Sequence, residues 1–265
     1  MQVHHLERTL KRLKLSGILA TLQERLEQAQ RQQLGYLEFL TLLLEDEVDR
    51  RGQKALALRV ARARFEEVKT LADFDFKANP KIPAAQIRDL ATLRFLEHQE
   101  SVLICGPVGV GKSHIAQALG YAACEKGYRV RYVKTPRLLA DLGGGRADGT
   151  YEQRFRGYLA PDLLILDDFG LHAFSAPQSE DLYQLVCDRY LRRSTIVVSN
   201  RPPQDWYALF ADPVLAEGAL DRLVNASHHV LIEGPSYRPR KRPGQATPPK
   251  PAPAPDRSEE VTPAV

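Results

Sequence analysis

The sequence predicts an α/β protein in which helices cover both faces of a parallel β-sheet, with a small all-α domain in front. Between residues 101 and 233, short apolar segments alternate with amphipathic ones, the pattern of parallel strands joined by helices. Residues 5–65 instead keep helical apolar spacing and contain no run of β-branched residues. A glycine-rich segment between the first apolar strand and the next helix also favours a parallel-sheet core.

Composition divides the chain into four parts. They are a helical N-terminal domain (1–68), a linker arm with a helix (69–100), an α/β core (101–234) and a proline-rich tail (235–265). The tail holds half of the 18 prolines and almost no large apolar residue, so we expect it to be disordered. In the arm, Phe74, Phe76, Pro80 and Pro83 favour an extended segment laid over a surface.

Apolar periodicity locates the individual elements. The strand candidates are 101–105, 128–133, 163–167, 195–199 and 229–232. The helix candidates of the core are 112–126, 136–142, 150–159, 178–193 and 213–225. The N-terminal domain has two apolar helix faces, which we expect to pack on each other or on a neighbour. They are Leu15, Ile18, Leu19, Leu22 and Leu26, and, after Gly35, Leu37, Leu40, Leu44 and Val48.

The overall composition is ordinary for a globular protein, with 43% hydrophobic and 26% charged residues. No apolar run approaches the ~18 residues that span a bilayer, and the N-terminus is too charged for a signal peptide. Cys105, Cys124 and Cys187 have neither pair nor metal spacing, so we expect reduced thiols and a cytoplasmic protein without membrane contact. The net charge of +4 permits nucleic-acid binding without requiring it.

A phosphate-binding loop is the most specific feature of the chain. The letters GPVGVGKS form a complete G-x-x-x-x-G-K-[ST] pattern between an apolar strand and a helix. Glycines let the backbone approach a polyphosphate, and N–H groups of the loop and the next helix point at its oxygens. Lys112 would reach the β- and γ-phosphates, and Ser113 would hold Mg²⁺. The residues predicted to bind ATP or GTP are Gly106, Pro107, Val108, Gly109, Val110, Gly111, Lys112, Ser113 and His114.

Two carboxylates follow a strand candidate. The letters LLILDD place Asp167 and Asp168 directly after four aliphatic residues. In ATPases with this kind of loop, an aspartate at a strand end holds Mg²⁺ opposite the serine, so Asp167 is the second predicted metal ligand. Asp168 is then placed to polarise an attacking water. A solvated turn is the alternative for this pair.

Two further residues are candidates for catalysis. Asn200 ends a β-branched strand candidate. If that strand lies beside the strand of Asp167, Asn200 would position the water near the γ-phosphate; otherwise it caps the turn before Pro202. Arg222 lies in the last helix candidate, where a surface ion pair is the usual role. It gains a catalytic role only if subunits share an ATP site, because an arginine supplied in trans neutralises transition-state charge.

Basic residues in two places favour contacts with DNA phosphates. Most of the first group lies along one side of a predicted helix, with no acidic residue opposite to pair with. The group consists of Arg50, Arg51, Lys54, Arg59 and Arg62. We expect backbone contacts without base readout; a solvated helix face is the alternative. Arg146 follows three consecutive glycines, residues 143–145, which indicate a mobile loop and a second DNA contact.

Taken in order, these features resemble the IstB family, the AAA+ helper ATPases of a class of bacterial insertion sequences. The resemblance covers about residues 6–233. Its parts are the helical leader, the arm Phe74-Asp75-Phe76 and the segments GPVGVGKS, LLILDDFG, TIVVSNRPPQDW and ALDRLVNASH. The leader and the RPPQDW segment are the specific parts, because many families share the loop. DnaC-type helicase loaders have the same core and a similar Asp-Arg-Leu element.

The resemblance implies an AAA+ core that binds ATP and Mg²⁺ through the residues named above. Asn200 matches the first sensor and Arg222 the trans-acting arginine. The resemblance also implies a homo-oligomer with shared ATP sites that assembles on duplex DNA largely independently of sequence, bends it, and recruits and activates an IstA-type transposase.

Two departures from the family pattern affect these expectations. Asp168 stands where many AAA+ ATPases carry glutamate, so we expect slow hydrolysis. The tail follows the Arg222 helix too closely for a full C-terminal lid, so we expect a reduced or absent lid and assign no second sensor arginine.

Three other functions are compatible with the sequence. A helicase loader would use the N-terminal helices to grip a helicase ring and would prefer single-stranded DNA. A small-molecule kinase would transfer the phosphoryl group to a metabolite, although no mobile lid with clustered arginines is evident. A nucleotide-gated scaffold would bind ATP without useful turnover, because the side chain of Asp168 is short.

Overall fold

A computed structural model describes residues 2–237 of the 265-residue chain. The first part is helical: α1 (Gln2–Arg12), α2 (Ser16–Gln32) and α3 (Tyr36–Ala63). The arm contains a 3₁₀ helix (Phe76–Ala78), α4 (Ala84–Leu90) and α5 (Arg94–Glu97). Residues 238–265, most of the predicted tail, lie outside the described residues. None of the helices in the described part is long and apolar enough to cross a membrane.

The core is a five-stranded parallel sheet with the order β2-β3-β4-β1-β5. Its strands are β1 (Ser101–Cys105), β2 (Val130–Lys134), β3 (Leu163–Phe169), β4 (Ser194–Ser199) and β5 (Ser227–Leu231). The helices between them are α6 (Lys112–Glu125), α7 (Thr135–Asp148), α8 (Tyr151–Leu159), α9 (Ala176–Arg189) and α10 (Pro213–Asn225). A 3₁₀ helix, Pro203–Leu209, follows β4. The predicted α/β class with a helical leader is confirmed.

Both faces of the sheet are buried, because neighbouring residues of each strand point to opposite sides. In β3, Ile165 packs on one side with Ile115 and Leu119 of α6. Leu164 packs on the other side with Leu138 of α7, together with residues of α9 and α10. The near-continuous aliphatic runs of the strands therefore have partners on both faces.

The prediction of a mobile loop at the three glycines, residues 143–145, was wrong. These glycines lie inside helix α7. A Cβ on Gly145 would lie 2.9 Å from the Cα of Tyr151 at the start of α8. A Cβ on Gly144 would lie 3.2 Å from a guanidinium nitrogen of Arg154. The glycines thus let α7 approach α8 closely, and packing outweighs their poor helix propensity.

The helical domain has its own small core. Leu10 of α1, Ile18 and Leu22 of α2, and Leu43 of α3 form it. Its centre also holds the carboxylate of Glu47, which accepts the N–H of Gly17 at 2.6 Å. N–H groups in the first turn of a helix have no partner within the helix, so Glu47 supplies one for α2.

The second predicted apolar face, on α3, stays exposed among residues 2–237. Leu37 is 80% exposed and Val48 is 67% exposed, and Leu40 and Leu44 are exposed as well. Helix α3 instead turns the face of Leu43 toward α2. Polar contacts between α2 and α3, such as the hydrogen bond from the N–H of Gly17 to Glu47, decide which face of α3 is buried. The apolar periodicity of the sequence alone does not show this.

The last turns of α3 attach the helical domain to the core. Ala63 is fully buried in the core cluster. Arg59 donates a hydrogen bond of 2.7 Å from Nε to the carbonyl of Cys124, near the end of α6. One long helix therefore belongs to both parts of the chain.

Candidate functional site

The phosphate loop connects β1 to α6 and has the backbone that its glycines predict. Gly106, Gly109 and Gly111 have φ values of +152°, +85° and +98°, a region that side chains disfavour. A Cβ on Gly106 would lie 2.0 Å from the carbonyl oxygen of Ile232. A Cβ on Gly111 would lie 2.7 Å from the ring of Phe74. The segments of Ile232 and Phe74 can therefore pack against this loop only because it has glycine at these positions.

A cavity of about 480 Å³ lies at the loop, within the range of about 300–1,000 Å³ that is usual for small-molecule sites. Loop residues and the start of α6 form one wall, and the ends of β3 and β4 form another. The arm contributes Phe74, Asn79 and Ile82, and residues 235–237 complete the lining. The arm and the chain after β5 are tied together, because Asn79 donates a 2.5 Å hydrogen bond to the carbonyl of Glu233.

The first residues of the predicted tail contact the loop directly. The N–H of Tyr237 donates to the carbonyl of Gly109 at 2.8 Å. On the arm side, the ring of Phe74 lies edge-on to that of His114, with 5.1 Å between ring centroids. The predicted nucleotide-binding loop is thus enclosed by segments that are distant in sequence.

Lys112 is buried and points into the loop. Its Nζ donates to the carbonyls of Gly106 at 2.8 Å and Pro107 at 2.7 Å, and to Oδ1 of Asn200 at 2.7 Å. Phosphate oxygens could replace these acceptors, because a lysine ammonium offers three donors to whatever anion is present. Asn200 reaches this lysine because β4 lies between β1 and β3, the arrangement that its predicted role requires.

Asp167 is 2% exposed at the end of β3. Its Oδ2 accepts a 2.7 Å hydrogen bond from the hydroxyl of Tyr132, and its Oδ1 accepts the N–H of Asp168 at 2.8 Å. Burial, followed by the hydrogen bond to Asp167, raises the pKa of Tyr132, so the hydroxyl stays a donor. Thr135 also donates to the Asp167 carbonyl at 3.0 Å. These contacts fix the orientation of the predicted metal ligand.

The donor set at the cavity fits Mg²⁺. Ser113 and Asp167 both line the cavity and offer hard oxygen ligands, and Mg²⁺ commonly takes one or two protein ligands together with phosphate oxygens and water. Three carboxylates, Glu66, Asp167 and Asp168, line this part of the cavity. A cation is therefore favoured there.

Asp168 has a φ of +54°, which is uncommon for a residue with a side chain. Its carboxylate is 35% exposed and lies 3.7 Å from Nζ of Lys134. That ammonium is 2.8 Å from Oε1 of Glu66, and the hydrogen bond with Glu66 raises the pKa of Lys134. Strained backbone conformations concentrate at functional sites, which agrees with a special role for this position.

The sequence did not identify Glu66, Tyr132 or Lys134 as site residues. Lys134 pairs with Asp167 in the sheet register, and Tyr132 pairs with Ile165. The sequence offered one signal for them, the polar residues near the end of the second strand. This signal identifies site residues only once the strand order shows that β2 lies next to β3.

Arg222 lies outside this cavity. It lines a small cleft with Leu185 and Tyr190, and its guanidinium donates to the carbonyl of Gly218 at 2.6 Å. The structure therefore does not bring Arg222 to the phosphate loop of its own chain. A role in the site of a neighbouring subunit stays a prediction.

The predicted DNA-contact residues have different surroundings. Arg51 pairs with Glu47 at 2.7 Å, which corrects the expectation that the basic face lacks acidic partners; Glu47 is one helical turn away. Arg59 holds the carbonyl of Cys124. Arg50, Lys54 and Arg62 are exposed on α3 and form no ion pair within residues 2–237.

Arg146 has an intramolecular partner that the sequence did not predict. Its guanidinium makes two hydrogen bonds, of 2.8 and 2.5 Å, to the buried carboxylate of Asp181. It also lies 4.5 Å from the ring centre of Tyr151. These contacts tie α7 to α8 and α9. Packing between these helices accounts for the position of Arg146. The prediction that Arg146 contacts DNA was based on a mobile loop at residues 143–145, and these residues are helical.

Comparisons with known proteins agree with this site. The family described as IstB-like ATP binding protein matches residues 8–245. An ATP-binding protein in an insertion sequence of Mycobacterium tuberculosis is 54% identical over 243 residues, 91% of this chain and 97% of the relative. AMPPCP-bound DnaA from Aquifex aeolicus matches with a TM-score of 0.53 at 24% identity, over 64% of this chain and 51% of DnaA. The DnaC helicase loader matches with a TM-score of 0.50 at 22% identity, over 66% of this chain and 98% of the loader.

The two structural similarities, at 24% and 22% identity, concern the fold of the α/β core alone. The sequence similarities go further, because they extend through the N-terminal helices as well as the core. The resemblance inferred from the sequence is thereby confirmed, and the chain belongs to the family of IstB-like ATP-binding proteins of insertion sequences.

Proposed function

We propose that this protein is a slow, Mg²⁺-dependent ATPase that assembles on duplex DNA and recruits and activates an IstA-type transposase. One observation carries the ATPase part. Lys112, Asp167, Asp168 and Asn200 converge on one nucleotide-sized cavity, although they lie at the ends of two different strands and at the start of a helix. Insertion-sequence relatives support the transposition part.

Binding would begin with the triphosphate in the loop. The N–H groups of the loop and of the start of α6 surround its oxygens, and Lys112 exchanges its carbonyl acceptors for the β- and γ-phosphates. The hydroxyl of Ser113 and the carboxylate of Asp167 would hold Mg²⁺, whose charge stabilises the phosphate oxygens when it is bound. Tyr132 keeps the carboxylate of Asp167 oriented for this task.

Hydrolysis would use Asp168 and Asn200. A water oxygen attacks the γ-phosphorus while the bond from that phosphorus to the β,γ-bridging oxygen breaks, and Asp168 accepts the proton of the water. Asn200 orients the water from the neighbouring strand end. Since aspartate is one methylene shorter than glutamate, the base sits farther from the water and turnover is slow, which suits an assembly that persists on DNA.

The assembly would place Arg222 of one subunit at the ATP site of the next. Its position away from its own phosphate loop supports this arrangement. Duplex DNA would contact the exposed cations Arg50, Lys54 and Arg62 on α3. Backbone phosphates are the expected targets, so binding depends on salt more than on sequence. We place the protein in the cytoplasm, where thiols stay reduced.

Assembly on DNA tests this function. Wild-type protein with ATP should form large complexes on duplex DNA in sedimentation and electron microscopy, whereas Lys112→Ala should not. Lys126→Ala is the matched control, because Lys126 is exposed, donates a hydrogen bond to the carbonyl of Thr92 and does not line the cavity. Assembly of the Lys112→Ala variant at the wild-type level would overturn the proposal.

Helicase loading is the second candidate, motivated by the common fold with the DnaC loader. Binding to duplex and single-stranded DNA of equal length, with ATP present, separates the two functions. Preference for the duplex supports the transposition role. Preference for single strands supports loading.

A further inference from the structure

The chain that leaves helix α3 runs along α6 to the phosphate loop. We call residues 64–74 of this chain the connecting segment. It meets α6 in antiparallel order, beginning with Phe65 at Gly120, where a Cβ would lie 2.8 Å from the phenylalanine ring. Farther along, the N–H of Glu67 donates to Oε1 of Gln117 at 3.2 Å. Gly120 and Gln117 are three residues apart and therefore lie on the same side of α6.

The connecting segment ends at the loop itself. Nε2 of His114, in the first turn of α6, lies 3.0 Å from the carbonyl oxygen of Thr70. A Cβ on Gly111, the last loop residue before α6, would lie 2.7 Å from the ring of Phe74. Between Gly120 and Gly111, the segment thus makes a contact about once in every helical turn.

The nucleotide cavity uses the connecting segment as part of its wall. The residues of the segment that line the cavity include Glu67, Lys69, Asp73 and Phe74. A nucleotide in the cavity would touch these residues directly, so it would bind best while the segment lies along α6. A ligand that binds one conformation more tightly shifts the protein toward that conformation. Bound nucleotide therefore stabilises the contact between the segment and α6.

The other end of the connecting segment holds the last turn of α3. Ala63 ends the helix and is fully buried in the core cluster, and Arg64 follows it with a φ of +58°. Arg62, one of the exposed cations proposed to contact DNA, lies in this last turn. Helix ends fray when no tertiary contact holds them. Docking of the segment therefore keeps Arg62 on one continuous helix with Arg50 and Lys54.

We infer that the connecting segment couples the nucleotide site to the DNA contacts of α3 within one subunit, with Phe65 and Gln117 as positioning residues. Nucleotide holds one end of the segment, and DNA favours the folded last turn of α3 at the other end. Each ligand therefore raises the affinity for the other, and thermodynamic linkage makes the two increases equal. The inference rests on the proposed function and adds to it a coupling route that needs no neighbouring subunit.

Binding to a duplex too short to hold two subunits tests this route, with a fluorescent, non-hydrolysable ATP analogue as the nucleotide probe. In the wild type, saturating DNA should lower the Kd of the analogue by about fivefold or more, and saturating analogue should lower the Kd of the duplex by the same factor. Phe65→Ala and Gln117→Leu should each reduce both factors to less than about twofold, because each removes a contact between the segment and α6. Phe65→Leu should keep the wild-type factors, since an apolar side chain still packs at Gly120.

Gln184→Leu is the matched control for loss of an amide, because Gln184 bonds to Asp188 within α9 and does not line the cavity. It should keep the wild-type factors. A merely structural role of Phe65 and Gln117 would weaken binding of the analogue equally with and without DNA, which would leave the factors unchanged and overturn the inference. Circular dichroism identifies a variant that does not fold, and the other variant then decides the test.

Two further outcomes separate the inference from the proposed function. If DNA leaves the Kd of the analogue unchanged in the wild type, while long duplexes are still occupied only with ATP, the coupling route is wrong and the proposed function stands. Wild-type protein that binds the analogue but assembles on long duplexes equally well without it would overturn both.

Discussion

The hydroxyl of Tyr132 donates a 2.7 Å hydrogen bond to Oδ2 of Asp167 across the strand pair β2 and β3. The other oxygen of Asp167 accepts the N–H of Asp168. Both oxygens of the proposed Mg²⁺ ligand are therefore held by protein groups. Partners of this kind orient a metal ligand and strengthen metal binding.

Replacing Tyr132 by phenylalanine should weaken Mg²⁺-dependent binding of ATP. We expect the Mg²⁺ concentration for half-maximal binding to rise about tenfold, the usual effect of losing an outer partner of a metal ligand. A Mg²⁺ titration with a fluorescent ATP analogue measures it. Y158F is the control, because it removes a 2.8 Å hydrogen bond to Asp141, and neither residue lines the cavity. Equal shifts in both variants would contradict the assignment.

Arg222 should act across a subunit boundary. The variants R222A and K112A should each lose ATPase activity by at least about tenfold, because both side chains would stabilise transition-state charge. In an equal mixture, about one interface in four joins an intact loop to an intact arginine, so activity should return. Phosphate release by the mixture measures this recovery. A mixture as inactive as its components would exclude the trans role.

The exposed cations of α3 should account for much of the salt dependence of DNA binding. Replacing Arg50, Lys54 and Arg62 by alanine should reduce the slope of log K against log salt by about one per residue. Fluorescence anisotropy with duplex DNA at several salt concentrations measures the slope. Arg146→Ala is the comparison, because Arg146 is already paired with Asp181. An unchanged slope in the triple variant would place the DNA elsewhere.

The contact between α2 and α3 should weaken in acid. Hydrogen bonds from Arg25 and then Thr21 lower the pKa of Asp46 from 3.8 to about 2. Folding lowers this pKa, so the ionised form stabilises the fold above the unfolded pKa and the contribution is lost as the pH falls through the folded one.

Replacing Asp46 by asparagine should therefore lower the free energy of unfolding at neutral pH by about 1–3 kcal/mol. The difference between the two proteins should shrink as the pH falls from 3.8 toward about 2. Urea unfolding at a series of pH values measures it. A difference that does not change with pH would mean that the ion pair contributes nothing.

The phosphate side of the site could be predicted because it depends on residues close together in the chain. A loop that encloses phosphates needs glycines, a lysine and a hydroxyl at fixed spacing, and Gly106 and Gly111 have the expected positive φ. Asp167 and Asn200 could be proposed because parallel strands bring their carboxyl ends to one edge of a sheet. Both line the cavity.

Predictions that required knowledge of distant partners failed or were not made. Periodicity identified the face of Leu37 and Val48 on α3, and its packing on a neighbour stays a prediction; within residues 2–237 the face of Leu43 is the buried one, because Glu47 anchors α3 to α2. The glycines 143–145 indicated a loop, and close contact with α8 made them part of a helix. In each case packing between elements outweighed local preference.

The order of strands and helices, the phosphate loop and the family all follow from the amino-acid sequence, because each is recorded in neighbouring residues. Only the tertiary structure shows that β2 lies beside β3, which places Tyr132 and Lys134 next to Asp167. It also brings Glu66 from the end of α3 to the same edge. Such contacts join residues far apart in the chain, and they result from the packing of whole elements, which no short segment encodes.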